Sequence, residues 1–209
     1  MSRAFCYQCR RARVACLCGR IEKQPNDIRI IVLQHPDEVN NSKGTGVIAE
    51  LGLQKYQKWV SDDFAQHKEL TGFIAENAEK TAILYPLQGA DELTEESGMA
   101  ETLNIENLIV IDGTWRKAKK IWELQPLLGK LQCLRLTNAQ ISNYRIRKVP
   151  GDGYLSTIES VVFALRALEG RRQAYQPLLD LFTEMVDYQI TQMGEETYFK
   201  NYADKTNKK

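Results

Sequence analysis

Apolar positions along this chain repeat in two different periods. Ile28–Leu33 and Leu108–Ile111 are short, β-branched, nearly continuous apolar runs, the pattern of strands covered on both faces. Thr81–Tyr85 and Leu131–Leu136 read the same way, the first stopped by Pro86. Helical spacing predicts helices from about Val47 to Leu53, Asp62 to Asn77, Thr114 to Leu124, Thr157 to Leu168 and Pro177 to Met193. Within the third, Trp115, Ala118, Ile121 and Trp122 share one face. Strands alternating with helices predict an α/β domain with a largely parallel sheet. Ligands of such sheets bind beyond the carboxyl ends of the strands, where His35, Pro86 and Asp112 all stand.

The length of 209 residues fits one domain with a small appendage. The boundaries expected are a Cys-rich head over 1–23, a main domain over 24–200 and a basic tail over 201–209. The longest apolar runs fall far short of a membrane span, and MSRAFCYQCRRARV places charges where a signal peptide needs apolar residues. The expectation is a cytoplasmic protein with no membrane partner. A net charge of +1 hides segregation: residues 1–23 carry six bases against Glu22, whereas 89–107 carry six acids and no base. The acidic stretch reads as a surface loop. Clustered bases fit either one polyanion-binding face or several solvated helix faces.

The head contains Cys6-x2-Cys9 and Cys16-x-Cys18, four thiols within thirteen residues. Nothing points to an oxidising compartment, so the readings are a structural zinc site, a redox dithiol or unligated thiols. Four thiolates can close a tetrahedral Zn²⁺ site, and a closed site is structural. Arg10, Arg11 and Arg13 could offset its negative charge while facing an anion. Cys133, in an apolar strand, reads as core.

Asp112 ends an apolar run and is followed by Gly113, Thr114 and Trp115. A plain structural account exists: Asp-Gly turns, Thr114 caps a helix and Trp115 packs. Three other stretches weigh against coincidence. His35-Pro36-Asp37-Glu38 puts an imidazole and carboxylates at another strand end. Ser42-Lys43-Gly44-Thr45-Gly46 places a cation and hydroxyls before a helix, without P-loop spacing. Ser156-Thr157-Ile158-Glu159 fits a capping box and follows the basic, Gly/Pro-rich YRIRKVPGDGYL, a candidate RNA-contacting loop.

Cys-x2-Cys…Cys-x-Cys, HPDE, SKGTG, LYP, DGTW and RIRKVP with LSTIE occur in an order that resembles the DTW-domain family, from Cys6 to about Leu168. The signature Asp-x-Thr-Trp is Asp112, Thr114 and Trp115. The resemblance is to the bacterial tRNA-uridine aminocarboxypropyltransferases. It implies a SPOUT-like fold with a C-terminal trefoil knot, which topology rules alone exclude by default. It also implies transfer of the 3-amino-3-carboxypropyl group of S-adenosylmethionine to N3 of a tRNA variable-loop uridine, releasing methylthioadenosine.

On that reading Asp112 is the general base for the weakly acidic uracil N3–H, and His35, Thr114 and Trp115 join it in the catalytic group. Trp115 can stack on a base. The donor is expected against Leu84, Tyr85, Pro86, Asp112, Gly113, Ser156, Thr157 and Glu159, its carboxylate at the helix N-terminus. The tRNA phosphates are expected on Arg10, Arg11, Arg13, Lys43, Arg116, Lys117, Lys120, Arg145, Arg147 and Lys148, with no role for DNA. Cys6, Cys9, Cys16 and Cys18 are the expected Zn²⁺ ligands. Competing readings are an S-adenosylmethionine-dependent RNA methyltransferase, transfer to ribosomal RNA, and a non-catalytic zinc-ribbon RNA-binding protein.

Overall fold

The computed structural model of the chain describes residues 4–94, 99–137, 142–147 and 155–203. The head is a hairpin of β1 (Phe5–Cys6) and β2 (Arg11–Ala12), followed by two single 3-10 turns. The body runs β3 (Arg29–Gln34), α1 (Gly46–Gly52), β4 (Tyr56–Val60), α2 (Lys68–Asn77), β5 (Thr81–Leu84) and β6 (Asp91–Leu93). It continues through α3 (Met99–Thr102), β7 (Asn107–Asp112), α4 (Trp115–Leu124), β8 (Gln132–Leu136), α5 (Thr157–Glu169), α6 (Gln176–Met193) and α7 (Glu195–Tyr198). Six of these strands form one parallel sheet in the order β4-β3-β7-β5-β8-β6. The expected α/β class and parallel sheet are what the chain adopts. Among the described residues no helix is long and apolar enough to cross a membrane.

The continuous apolar runs follow from burial on both sheet faces. Ile30 and Val32 of β3 point to one core with Ile48, Val161, Leu165 and Phe182. Ile31 and Leu33 point to the other, with Phe64, Leu70, Ile74 and Ile121. A two-residue period with apolar demand on both sides leaves no polar position inside the strand. The head shares the first core: Cys9 and Leu17 are buried within that cluster.

Three expectations need correction. Tyr56–Val60 is a strand that the pattern conceals, because it is an edge strand and tolerates Gln57 and Lys58. The acidic stretch is not simply a loop: Asp91–Leu93 is the opposite edge, its charges outward and Leu93 buried, with Arg135 paired to Glu92. The helix expected over 62–77 is broken. Asp63 caps the 3-10 turn Phe64–Gln66, and His67 Nδ1 then accepts the Leu70 N–H at 3.2 Å to start α2. From residue 204 the basic tail lies outside the described residues.

Gly52 fixes how closely α1 approaches α6: a Cβ there would sit 2.4 Å from Leu178 Cδ2, a side chain only 1% exposed. Overpacking of this kind costs about 1–3 kcal/mol. Gly52→Ala is expected to lower Tm by roughly 3–10 °C in a thermal melt; an unchanged Tm would mean that the α1–α6 contact can open freely.

Candidate active site at the carboxyl edge

β3, β7 and β5 are adjacent and parallel, so their carboxyl ends bring Gln34-His35, Asp112-Gly113 and Tyr85-Pro86 to one edge. Asp112 closes β7, in register with Gln34. Its side chain is buried and both oxygens are held: Oδ2 accepts from Gln34 Nε2 at 2.7 Å, and Oδ1 accepts from Thr157 Oγ1 at 2.6 Å. Gly46 packs against the same group, since a Cβ there would lie 2.9 Å from Oδ2. Burial raises the Asp112 pKa above the ordinary carboxylate value, against the pull of the Thr157 and Gln34 hydrogen bonds.

In front of this carboxylate lies a cleft of about 120 Å³ that opens to solvent at its mouth. Its apolar wall is Leu84, Val110, Leu136 and Leu155; Tyr85, Pro86 and Trp115 add ring surface, and Arg135, Arg147, Thr157 and Ser160 add polar groups. Tyr85 is braced by stacking on Trp122, with ring centroids 4.4 Å apart and planes within 6°. Asp112 is not on the cleft wall. Its hydrogen-bond partner Thr157 is.

The segment 142–147 arches over the edge and is held at several points. Glu159 Oε2 accepts from Ser142 Oγ and from the Ser156 N–H, both at 2.7 Å, while Oε1 accepts the Asn143 N–H at 2.7 Å. Tyr144 donates to the Lys43 carbonyl, and Arg147 Nη2 donates to the Gly113 carbonyl at 3.3 Å. Beside it, Lys117 bridges Asp37 and Glu38 at 3.0 Å each. Burial works against the Lys117 charge, but Glu38 and Asp37 outweigh it and raise its pKa. His35 Nδ1 accepts the Asp37 N–H at 3.2 Å, which orients the ring.

The head brings its four cysteines together. Cys6 and Cys18 sulfurs are 3.7 Å apart, as are Cys9 and Cys16, and all four lie within 4.8 Å of one another. A tetrahedron of Zn–S bonds of about 2.3 Å has edges of about 3.8 Å, so the spacing fits. Arg11 gives a second indication. It is 3% exposed, yet its hydrogen-bond partners are the Cys9 and Gly44 carbonyls and the Met185 sulfur, none an anion. Buried charges need a counter-charge; burial lowers the Arg11 pKa, and Cys9, Tyr144, Cys18 and Cys16 pull the other way without outweighing it.

The DTW domain family matches residues 3–190 of the chain. The chain belongs to the DTW family. It is 31% identical over 209 residues to a Drosophila melanogaster protein named tRNA-uridine aminocarboxypropyltransferase 2, covering 97% of this chain and 81% of that one. Proteins of the same name from Macaca fascicularis and Mus musculus are 29% and 27% identical, covering 90% and 96% of this chain and 64% and 68% of theirs. No solved structure matches the chain.

Set on this DTW domain, the expected site residues divide. Leu84, Tyr85, Pro86, Gly113, Trp115 and Thr157 line the cleft. Ser156 and Glu159 are spent in a capping box behind it. Thr114 stands at the N-cap of α4 but makes no capping bond, contrary to its structural reading. The N-terminus of α5 offers fewer donors than expected: the Ile158 N–H goes to Thr45 Oγ1 at 3.4 Å and the Glu159 N–H to Ser156 Oγ at 3.4 Å.

Among the expected phosphate contacts, Arg13, Lys43, Arg116 and Lys120 are exposed, and Arg145 is exposed but paired with Asp187. Arg10 makes a bidentate pair with Glu50 at 3.1 and 3.3 Å. Arg147 turns into the cleft and Lys117 is tied to acids, while Arg11 is withdrawn into the core, out of reach of a surface phosphate. Lys148 lies outside the described residues. Residues that the sequence reading missed are Gln34 and, on the cleft wall, Val110, Ile111, Ala118, Arg135, Leu136, Leu155 and Ser160. Leu136 had the same signal as Pro86, the end of a central strand; Gln34 had none beyond ending an apolar run.

A carboxyl group that holds its proton more tightly when folded adds stability below its unfolded pKa, near 3.8 for Asp112, and loses it as pH rises through the folded value. Asparagine has no such loss, and the Gln34 Oε1, which is buried without a partner, can accept its amide after a flip. The Tm of Asp112→Asn relative to the wild type is therefore expected to improve as the pH rises above about 4. A difference independent of pH would refute the raised pKa.

Proposed function

We propose that this DTW domain transfers the 3-amino-3-carboxypropyl group of S-adenosylmethionine to N3 of a uridine in the tRNA variable loop, releasing methylthioadenosine. The observation that carries the reading is the cleft at the strand ends, lined by Trp115 of the family signature and backed through Thr157 by its Asp112, in a chain whose relatives bear the name tRNA-uridine aminocarboxypropyltransferase. The donor supplies a carbon activated by the adjoining sulfonium. The apolar wall of Leu84, Val110, Leu136 and Leu155 suits an adenosine, with Trp115 available to stack on it or on the target uracil. Arg147 is the cation on the wall nearest the engaged loop carbonyls and suits the donor's carboxylate better than the partly occupied α5 amides.

The chain's own work is to align one uridine and remove its N3 proton. Asp112, made more basic by burial, stands behind Thr157. The proton passes from uracil N3 to Thr157 Oγ1 as the Thr157 hydroxyl proton moves to Asp112 Oδ1, so the negative charge leaves the buried carboxylate. Burial favours that neutral product, in the same direction as the raised pKa. Gln34 and Gly46 act as positioning residues for the carboxylate. His35 and Thr114, at the same edge, are placed to contact the substrate rather than the acid.

The parallel sheet suits the SPOUT-like frame with a C-terminal trefoil knot that the family resemblance implies. The four cysteines hold a structural Zn²⁺; the sulfur spacing and the uncompensated Arg11 support it. Arg13, Lys43, Arg116, Lys120 and Arg145 form the phosphate face, and binding should weaken steeply as salt rises. A tRNA-modifying role suits a cytoplasmic protein.

Incubating the protein with S-adenosylmethionine and unmodified tRNA, then digesting to nucleosides, tests the reaction. The expected result is a uridine heavier by the aminocarboxypropyl group, with methylthioadenosine formed in equal amount. A methylated nucleoside with S-adenosylhomocysteine, or no product, would refute the assignment.

A further inference from the structure

The cysteine-rich head displays apolar side chains that a structural knuckle has no need to expose. Tyr7 is 87% exposed and Phe5 41%, although both flank a four-cysteine cluster packed on the main core. The two rings meet edge to face with centroids 5.5 Å apart, so Phe5 braces Tyr7 while leaving its face open. Tyr7 sits between Cys6 and Cys9 in the turn of the β1–β2 hairpin, so metal binding would hold the backbone that carries it. A ring fixed this way loses little conformational entropy on making a contact.

The surroundings say what the ring can stack on. Gln8, beside it in the turn, is exposed, and so is Arg13 on the same head, whereas Arg10 and Arg20 pair with Glu50 and Glu184 and Arg11 is buried. The head also adjoins the strand-end surface: Cys9 and Arg10 share a recess with Gln34, Glu38, Gly44 and Gly46, and Arg10 pairs with Glu50 of α1. A head that adjoins the strand ends and carries an exposed guanidinium, Arg13, with a braced aromatic face, Tyr7, has the two parts from which single-stranded nucleic acid sites are built. The exposed large apolar side chains of the head are Phe5, Tyr7 and Val14, far short of the roughly 20–30 residues a side of a stable protein interface.

We infer that Tyr7 is a stacking platform for an unpaired tRNA base, making the cysteine-rich head a second RNA contact that sets how the tRNA lies across the cleft. This rests on the tRNA reading above. The exposed Tyr7 is outside the cleft and makes no contact with the Asp112–Thr157 pair, so its removal should not touch the chemistry.

The test measures Kd for an unmodified tRNA transcript with the full-length, metal-loaded protein, alongside metal content and S-adenosylmethionine affinity. Tyr7→Ala and Tyr7→Leu are expected to weaken tRNA binding about 5- to 100-fold, with Tyr7→Phe and Tyr7→Trp within about 2-fold of wild type. The slope of log Kd against log salt should stay unchanged for Tyr7→Ala but fall by about one for Arg13→Gln. Photo-crosslinking with thiouridine-substituted tRNA should label the peptide containing Tyr7. Equal affinity for Ala, Phe and wild type, or Leu matching Phe, overturns the stacking role. So does loss of self-association in Tyr7→Ala with tRNA affinity intact, which would mark a protein interface. If the wild type binds and modifies tRNA while Tyr7→Ala binds equally well, only this inference fails; if the wild type does not bind tRNA, the parent reading fails with it. Should Tyr7→Ala lose metal, the Leu, Phe and Trp series and the crosslink decide.

Discussion

Burying a carboxylate at the end of a central strand constrains everything around it. Asp112 lies in the middle of the sheet, flanked by β3 and β5, where water cannot satisfy it. An unpaired buried carboxylate would cost several kcal/mol and simply stay protonated. The neighbours meet that constraint in turn: an amide from β3, a hydroxyl from the first residue of α5, and a glycine at the start of α1 that leaves room for Oδ2. Three elements far apart in sequence therefore depend on one side chain for their approach.

The same arrangement shapes the site. Because Oδ1 is covered by Thr157, the face presented to the cleft is a hydroxyl backed by a carboxylate, not the carboxylate itself. Glu159 plays a parallel part in the first turn of α5, accepting from Ser142, Asn143 and Ser156, and thereby fixing the arch that carries Arg147. One helix start thus sets both the hydroxyl and the cation of the cleft. The head adds a third anchored element, with Arg11 inserted between the cysteines and Met185 of α6.

How much of this was legible depended on whether the cause was local. Central strands were, because burial on both faces forces continuous apolar runs such as Leu108–Ile111. Edge strands were not: Tyr56–Val60 and Asp91–Leu93 carry charges that only their position in the sheet makes harmless. The cysteine cluster was legible from spacing, and the signature residues from their place at strand ends. Gln34 was not, since its partner lies 78 residues away and nothing in IRIIVLQ reveals that pairing. Arg11 was misplaced for a related reason: in a hairpin of two-residue strands, adjacent arginines look alike, and only packing against α6 separates the buried one from its exposed neighbours.

The central claim is that Asp112 acts on the substrate through the Thr157 hydroxyl. The most direct measurement is the single-turnover rate of transfer to tRNA for Thr157→Val, which keeps the shape and removes the hydroxyl, with Thr157→Ser as the control. The account expects Thr157→Val to lose about 100-fold or more in rate, the scale of general-base catalysis, while S-adenosylmethionine and tRNA still bind and Thr157→Ser stays near wild type. A Thr157→Val enzyme that transfers at close to the wild-type rate would contradict it.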